Sequence, residues 1–271
     1  MERIAVIGSG KIGTAIIKSL KRAFPEQEII ATSRKEETMR KAKELGVYTT
    51  LDNDYAVSKS EIVILSVKPQ HLPEVVRQVN RERWSGRKVI SVLAGVRTET
   101  LSKLLPNSIV FRAMPNVNAE IGKSTTAIAE SKHGEKQVVE RIFKTLGTVY
   151  WIPEELLDVW TALIGSGPAF VAEILDAMAL GAVACGMQRE QAYDAILDMV
   201  QGTVENLRVH ERHPIMLRDL VATPSGTTIR GLMTMEEEGI KAGIIKTILS
   251  ANERSSKIGR DIESTLLRDE T

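Results

Sequence analysis

Ile4-Ala5-Val6-Ile7-Gly8-Ser9-Gly10-Lys11-Ile12-Gly13 decides how this chain folds. The first part is a short, continuous apolar run of mostly β-branched residues, the pattern of a strand covered on both faces. The second is Gly-x-Gly-x-x-Gly, which opens the periodic, helix-like stretch 11–23. Alone, the glycine pattern is weak and fits any glycine-rich turn between core elements. Between a strand and a helix it has the context that a dinucleotide-binding loop requires. Gly8 permits the tight turn, Gly10 lets the backbone approach a diphosphate, and Gly13 allows close helix–strand packing. The helix N-terminus then offers free N–H groups to the phosphates.

Further apolar runs follow at 28–32, 62–67, 88–93, 109–111, 126–129 and 148–152. Polar, periodic stretches at 35–45, 69–82, 98–104 and 135–146 lie between them. Strand–helix alternation predicts a doubly wound parallel sheet of the α/β class. After Pro153 strand-like runs cease, and helices are expected over 154–164, 168–185, 189–209 and 244–267. Gly165-Ser166-Gly167-Pro168 interrupts the first pair, and proline suits the first helical turn. The expected division is an α/β nucleotide-binding domain at 1–152 and an all-helical domain at 153–271.

Composition narrows the function classes. The 271 residues carry 36 Lys plus Arg against 35 Asp plus Glu, a net charge of +1. That balance argues against a nucleic-acid or membrane-surface partner recruited by bulk positive charge. Aromatic residues are 4% of the chain, too few for base-stacking platforms. The single cysteine, Cys185, leaves no internal disulfide and no cysteine-based metal cluster, as expected of a cytoplasmic protein. The opening apolar run is short and meets glycines early, unlike a signal peptide. The best membrane candidate, 169–187, contains Glu173 and Asp176, and each mid-bilayer carboxylate costs about 2.5–3.5 kcal/mol. A helix buried between subunits explains that composition better.

The 2′ end of the nucleotide is read next. An NAD site places Asp or Glu about 20 residues beyond the glycine loop. This chain has Ser33-Arg34-Lys35 there. Arginine and serine suit a 2′-phosphate, which predicts NADP in preference to NAD. The competing reading makes Arg34 and Lys35 solvated residues at a helix start, where Glu36 and Glu37 complement the dipole. Val67-Lys68-Pro69 and Ala94-Gly95 end two other strand-like runs, where ligands of open parallel sheets bind. Spacing alone makes Lys68 a surface lysine more readily than a cofactor contact.

In the second half, Thr223-Pro224-Ser225-Gly226-Thr227-Thr228 lies between helices. Its hydroxyls suit an N-cap and first turn, and Gly226 permits close backbone approach. The result would suit a small carboxylate, though plain capping explains the spacing better. His210-x-x-His213, followed by Pro214, has no third partner for a metal and reads as a surface pair. His71 and His133 read as solvated, Cys185 as a small core residue, and Met233 and Met235 as packing between helices.

Val67-Lys68-Pro69-Gln70, Arg112-Ala113-Met114-Pro115-Asn116, Gly165-Ser166-Gly167-Pro168-Ala169-Phe170 and the 223–228 loop, taken in order with the glycine loop, are highly specific. Over essentially its whole length the chain resembles the pyrroline-5-carboxylate reductases. The resemblance implies a Rossmann domain followed by an all-α dimerisation domain. It also implies NAD(P)H-dependent reduction of 1-pyrroline-5-carboxylate to L-proline, the last step of proline synthesis. Family members form homodimers through interleaved C-terminal helices, and larger assemblies such as decamers are common. By position, Gly8, Ser9, Gly10, Lys11, Ile12, Gly13, Ser33, Arg34, Asn53, Val67, Lys68, Ala94 and Asn116 are implied cofactor contacts. Thr223, Gly226, Thr227 and Thr228 are implied substrate contacts, Thr228 being the catalytic hydroxyl beside the ring nitrogen, and Glu211 is a further substrate-side carboxylate by alignment. No metal is implied.

The chain departs from the family in places. The loop usually reads Ser-Pro-Gly-Gly-Thr-Thr, so Ser225 replaces a glycine and loses backbone freedom if that position needs a positive φ. Leu220 stands where asparagine is common and Asn118 where proline is usual, both bearing on fine substrate preference. A hydroxy-acid dehydrogenase would need a Lys or His base in the helical half, and no convincing candidate is found. A nucleotide-sensing protein on this scaffold would be expected to lose the substrate loop, which is kept.

Overall fold

The computed structural model of the chain describes residues 2–131, 135–210 and 213–268. His133 and Glu211 lie outside those residues. The chain forms two compact units, one of Met1–Ser166 with Ser250–Thr271 and the other of Gly167–Leu249.

The first unit is built on an eight-stranded sheet. Its strands are β1 (Ile4–Ile7), β2 (Ile29–Thr32), β3 (Tyr48–Thr50), β4 (Ile62–Leu65), β5 (Lys88–Ser91), β6 (Ile109–Met114), β7 (Ser124–Ala129) and β8 (Gly147–Ile152). Their order is β3-β2-β1-β4-β5-β6-β7-β8. β1 lies between β2 and β4, with Ile4 level with Ile29 and with Ile62. Period-two alternation sorts its side chains, with Ile4 and Val6 in one core and Ala5 and Ile7 in the other. Phe111, Phe143 and Leu20 fill the first core; Trp84, Leu65 and Leu101 fill the second. The helices covering these faces are α1 (Lys11–Ala23), α2 (Glu36–Glu44), α3 (Asn53–Ser58), α4 (Leu72–Gln78), α5 (Thr98–Leu104) and α6 (Lys136–Lys144).

One junction departs from the expected parallel sheet: β6 and β7 pair antiparallel. The link between them is a single 3-10 turn, Val117–Ile121, closed by Gly122 at φ 73°. That is shorter than the dozen or so residues a parallel crossover needs, so the chain can only fold back. β3 and α3 are further elements that the sequence pattern does not mark. β3 is a three-residue edge strand whose side chains stay partly exposed, too short to show a period. Asp52 caps α3, accepting from the Tyr55 N–H at 2.9 Å.

The expected helix over 154–164 is broken into a 3-10 turn, a single α turn, α7 (Leu157–Trp160), and a π turn at Thr161–Gly165. Glu154 opens this segment and pairs with Arg112 on β6 at 2.7 Å. The same carboxylate oxygen accepts from the Thr98 N–H at 2.7 Å. Burial pushes the Glu154 carboxyl up, but hydrogen bonds from Arg112 and Thr98 outweigh it and hold the group below its ordinary value.

The second unit holds α8 (Gly167–Ala184), α9 (Arg189–Val209), α10 (Pro214–Val221), α11 (Thr227–Glu237) and the start of α12 (Ile240–Arg268). Along α8 only Ala179 is buried, while Val171, Ile174, Met178 and Leu180 stand exposed in the single chain. Cys185, expected in a core, is exposed, as are Met233 and Met235. The run Glu154–Ala184 is long and apolar enough to cross a membrane by length and composition.

The last turns of α12 belong to the first unit. A Cβ on Gly259 would lie 2.3 Å from the Gly95 carbonyl oxygen, so both glycines are needed where this helix meets the end of β5. Ser255 and Ser256 donate to the two carboxylate oxygens of Asp158, at 2.9 and 3.1 Å.

Candidate functional site

The glycine loop joins β1 to α1 with little freedom. Gly8 has φ 95°, and a Cβ there would lie 2.7 Å from Val67 Cγ1. A Cβ on Gly13 would lie 2.2 Å from the Gly8 carbonyl oxygen. Gly10 is the N-cap of α1, has no side-chain cap, and has nothing within 4 Å of its Cβ position. The start of α1 is therefore uncapped by any side chain and has open space at Gly10, which fits a dinucleotide diphosphate. Ser9 is buried, and its hydroxyl donates to the Thr32 carbonyl at 2.9 Å. Ser9 thus ties the loop to β2, leaving its backbone to face a ligand. Ser66 donates to the Gly8 carbonyl at 2.6 Å and Thr14 to the Ser9 carbonyl at 2.8 Å. Lys11 is exposed and Ile12 half-buried at the opening of α1.

Beyond β2, the Ser33 hydroxyl accepts from the Lys35 N–H at 3.2 Å, closing the turn into α2. Arg34 is exposed and reaches α4, donating to Glu74 and to His71 Nε2 at 2.9 Å each. His71, expected to be solvated, is half-buried. Asn53 opens α3 and donates to Gln78 Oε1 at 2.6 Å. Val67 packs against Gly8, and Lys68 is exposed at the start of the following 3-10 turn. Ala94 is half-buried after β5. These residues follow the carboxyl ends of β2, β3, β4 and β5.

Asn116 follows the end of β6. Its N–H donates to Ser124 Oγ at 3.2 Å. Its Nδ2 donates to the Ile164 carbonyl at 3.2 Å. In an α-helix that carbonyl would accept from residue 168, which is proline and has no N–H. Asn116 therefore satisfies the π turn that precedes Gly165-Ser166-Gly167-Pro168. Its remaining polar atom, Oδ1, is buried with no hydrogen-bond partner among the described residues. A buried orphan acceptor at a strand end fits a ligand amide.

In the second unit, the 223–228 loop leads into α11. Gly226, and not Ser225, is the N-cap, and no side chain caps the helix. A Cβ on Gly226 would lie 2.4 Å from Thr223 Oγ1, so a larger residue there would have to displace that hydroxyl. Ser225 has φ 58°, the left-handed conformation that the departure from the family pattern put in question. Such a residue costs about 1–3 kcal/mol. Thr228 is half-buried in the first turn, with Thr223 and Thr227 exposed. His213 caps α10, its Nδ1 accepting from the Ile215 N–H at 3.2 Å.

A family model described as pyrroline-5-carboxylate reductase dimerisation matches residues 154–258. A second, described as NADP oxidoreductase, coenzyme F420-dependent, matches 3–95. The pyrroline-5-carboxylate reductase of Methanosarcina acetivorans is 36% identical over 266 residues, covering 96% of this chain and 98% of that protein. The chain belongs to the pyrroline-5-carboxylate reductase family. A solved pyrroline-5-carboxylate reductase from Streptococcus pyogenes is 28% identical with a TM-score of 0.87, covering 94% of this chain and 98% of that one. The Plasmodium falciparum enzyme, solved with NADP bound, is 22% identical with a TM-score of 0.86 and shares the fold over 95% of this chain and 98% of its own.

Sequence reasoning points to the glycine loop and the strand-end residues. It missed what holds them: Ser66, Thr14, Glu74 and Gln78. Ser66 lies within the 62–67 run, directly after β4, and is legible as a strand-end residue. Glu74 and Gln78 gave no signal, because their partners Arg34 and Asn53 are distant in sequence.

Proposed function

We propose that the protein reduces the C=N bond of 1-pyrroline-5-carboxylate to give L-proline, with NADPH preferred over NADH. The full-length family match carries this reading. The open α1 N-terminus at Gly10 supports a diphosphate there, with Arg34 and Ser33 toward the 2′-phosphate and Val67, Lys68 and Ala94 along the cofactor. Asn116 Oδ1 is the acceptor for the nicotinamide carboxamide. When bound, the reduced nicotinamide supplies the hydride.

The chain's own residues supply binding and orientation. The uncapped N–H groups at the start of α11 hold the substrate carboxylate, with Thr223, Gly226 and Thr227 shaping the turn. Thr228 hydrogen-bonds the ring nitrogen and holds its proton as the C=N electron pair moves onto nitrogen and C5 gains the hydride. Fixing both ends of a small ring sets C5 for transfer, an effect worth several kcal/mol.

The functional boundary is placed at 152/153, with 1–152 for cofactor and 153–271 for substrate and dimerisation. The start of the dimerisation match at residue 154 supports it. The apolar α8 surface is assigned to a homodimer contact, not a membrane or nucleic acid, and dimers assemble further to a decamer. A cytoplasmic setting, where NADPH is regenerated, suits the chemistry.

Thr228→Ala tests the site. The hydroxyl makes one orienting hydrogen bond to a substrate that arrives protonated. Its loss should lower kcat/KM about tenfold, mostly in kcat. Wild-type kcat/KM in the variant would remove Thr228 from the mechanism.

A further inference from the structure

The adenosine side of the cradle carries a continuous polar chain that the proposed reaction does not use. Asn53 Nδ2 donates to Gln78 Oε1 at 2.6 Å. Gln78 Nε2 donates to Glu74 Oε1 at 3.3 Å. Glu74 Oε2 accepts from Arg34 Nη1 at 2.9 Å. Arg34 Nη2 lies 2.9 Å from His71 Nε2, and because a guanidinium only donates, that ring nitrogen is the acceptor. Two implied nucleotide contacts that follow different strands, Asn53 and Arg34, are thereby tied to α4, one through Gln78 and the other through Glu74.

We propose that Glu74 is a specificity-determining residue that limits the preference for NADPH over NADH. The proposal rests on the reading of Arg34 as the group facing the 2′-phosphate. Glu74 offsets the guanidinium charge and holds Nη1 of Arg34 toward α4, while His71 holds Nη2. A 2′-phosphate carries about 1.5–2 negative charges. It must draw Arg34 away from Glu74 and then lie near that carboxylate. A 2′-hydroxyl does neither, so the penalty falls on NADPH alone. The Arg34 and Glu74 side chains are 62% and 40% exposed, which keeps the effect modest.

The test uses 2′,5′-ADP and 5′-ADP as probes, titrated into the full chain by calorimetry. Glu74→Gln keeps the length and one acceptor oxygen for Arg34 but removes the charge, and its NH2, which only donates, gives up the bond from Gln78. It should bind 2′,5′-ADP about three- to tenfold tighter, with 5′-ADP affinity within about twofold of wild type. In an Arg34→Ala background the same substitution should have a smaller effect, because only the repulsion between phosphate and carboxylate is left to relieve. An unchanged or lowered preference for 2′,5′-ADP in Glu74→Gln overturns the proposal, as does a ratio that rises only because 5′-ADP binds more weakly. If Arg34→Ala itself keeps the wild-type preference, the reading of Arg34 falls, and this proposal with it. Reductase activity with NADH reports on the proposed reaction independently of either result.

Discussion

Gly13→Ala should lose NADPH binding by at least about a hundredfold. The added methyl would sit 2.2 Å from the Gly8 carbonyl oxygen and 2.7 Å from Ser66 Oγ. Neither neighbour can yield easily. Gly8 is itself wedged against Val67, and Ser66 holds the same carbonyl at 2.6 Å. The loop must therefore shift as a body, carrying the α1 N–H groups off the diphosphate. Each hydrogen bond to a charged group is worth about 1.5–3 kcal/mol, and losing two reaches the stated factor. Gly10→Ala is the informative companion. Nothing lies within 4 Å of its Cβ position, so the fold should accept the methyl. The methyl would instead occupy the space through which the diphosphate approaches. Both variants should fail to bind NADPH in a fluorescence titration, but only Gly13→Ala should lower Tm. Tight NADPH binding by either would mean that the phosphates lie elsewhere.

Arg112→Met should cost about 3 kcal/mol of stability near neutral pH. Breaking a buried ion pair by removing one partner costs about 3–5 kcal/mol, because the other charge stays buried. The Arg112 side chain is 5% exposed, but Glu154 keeps 30%, which places the effect at the low end. Methionine retains most of the apolar stem, so the loss reports the charge. A Tm lower by roughly 6–12 °C is expected. The pH dependence has a definite sign. In the wild type Glu154 is held below 4.5, so the pair contributes stability above that pH and loses it as pH falls through the lower, folded value. In the variant the Arg112 contribution is gone and only the Thr98 hydrogen bond opposes burial, so Glu154 rises above its wild-type value. Protonation then relieves the variant first, and the stability gap should close toward acid pH. A gap that stays constant between pH 7 and pH 4 would show that packing, not charge, was lost.

The two halves of the fold differ in how far the sequence discloses them. β1, α1 and α5 have the bounds that their apolar runs and periods indicate, because each is locally complete. β7's antiparallel direction is invisible in its residues and comes from the length of the link before it. α12 reads as one periodic helix, yet Gly259 and Ser255 serve the first unit through partners at Gly95 and Asp158. Nothing local in 240–268 marks that change. α8 shows the opposite problem, since its composition says buried while a single chain leaves it exposed. The missing cover is a second copy in the proposed dimer.

In the site, legibility follows chemistry. Glycines at 8 and 13 are readable because steric demand allows no other residue, and Gly10 because a side chain there would fill the space in front of the loop. Ser225 was readable only as a question, which its φ of 58° answers. Asn116 was placed at the cofactor by motif, but its service to the Ile164 carbonyl follows from Pro168, far along the chain. The acceptors on α4 that hold Arg34 and Asn53 could not be read at all, since side-chain pairing across loops leaves no periodic trace.

Transfer of deuterium from NADPH labelled at the reactive C4 position tests the central claim most directly. With 1-pyrroline-5-carboxylate as substrate, the account predicts L-proline carrying one deuterium, located at C5 by NMR. Proline formed without label, or labelled coenzyme consumed without proline, would contradict it.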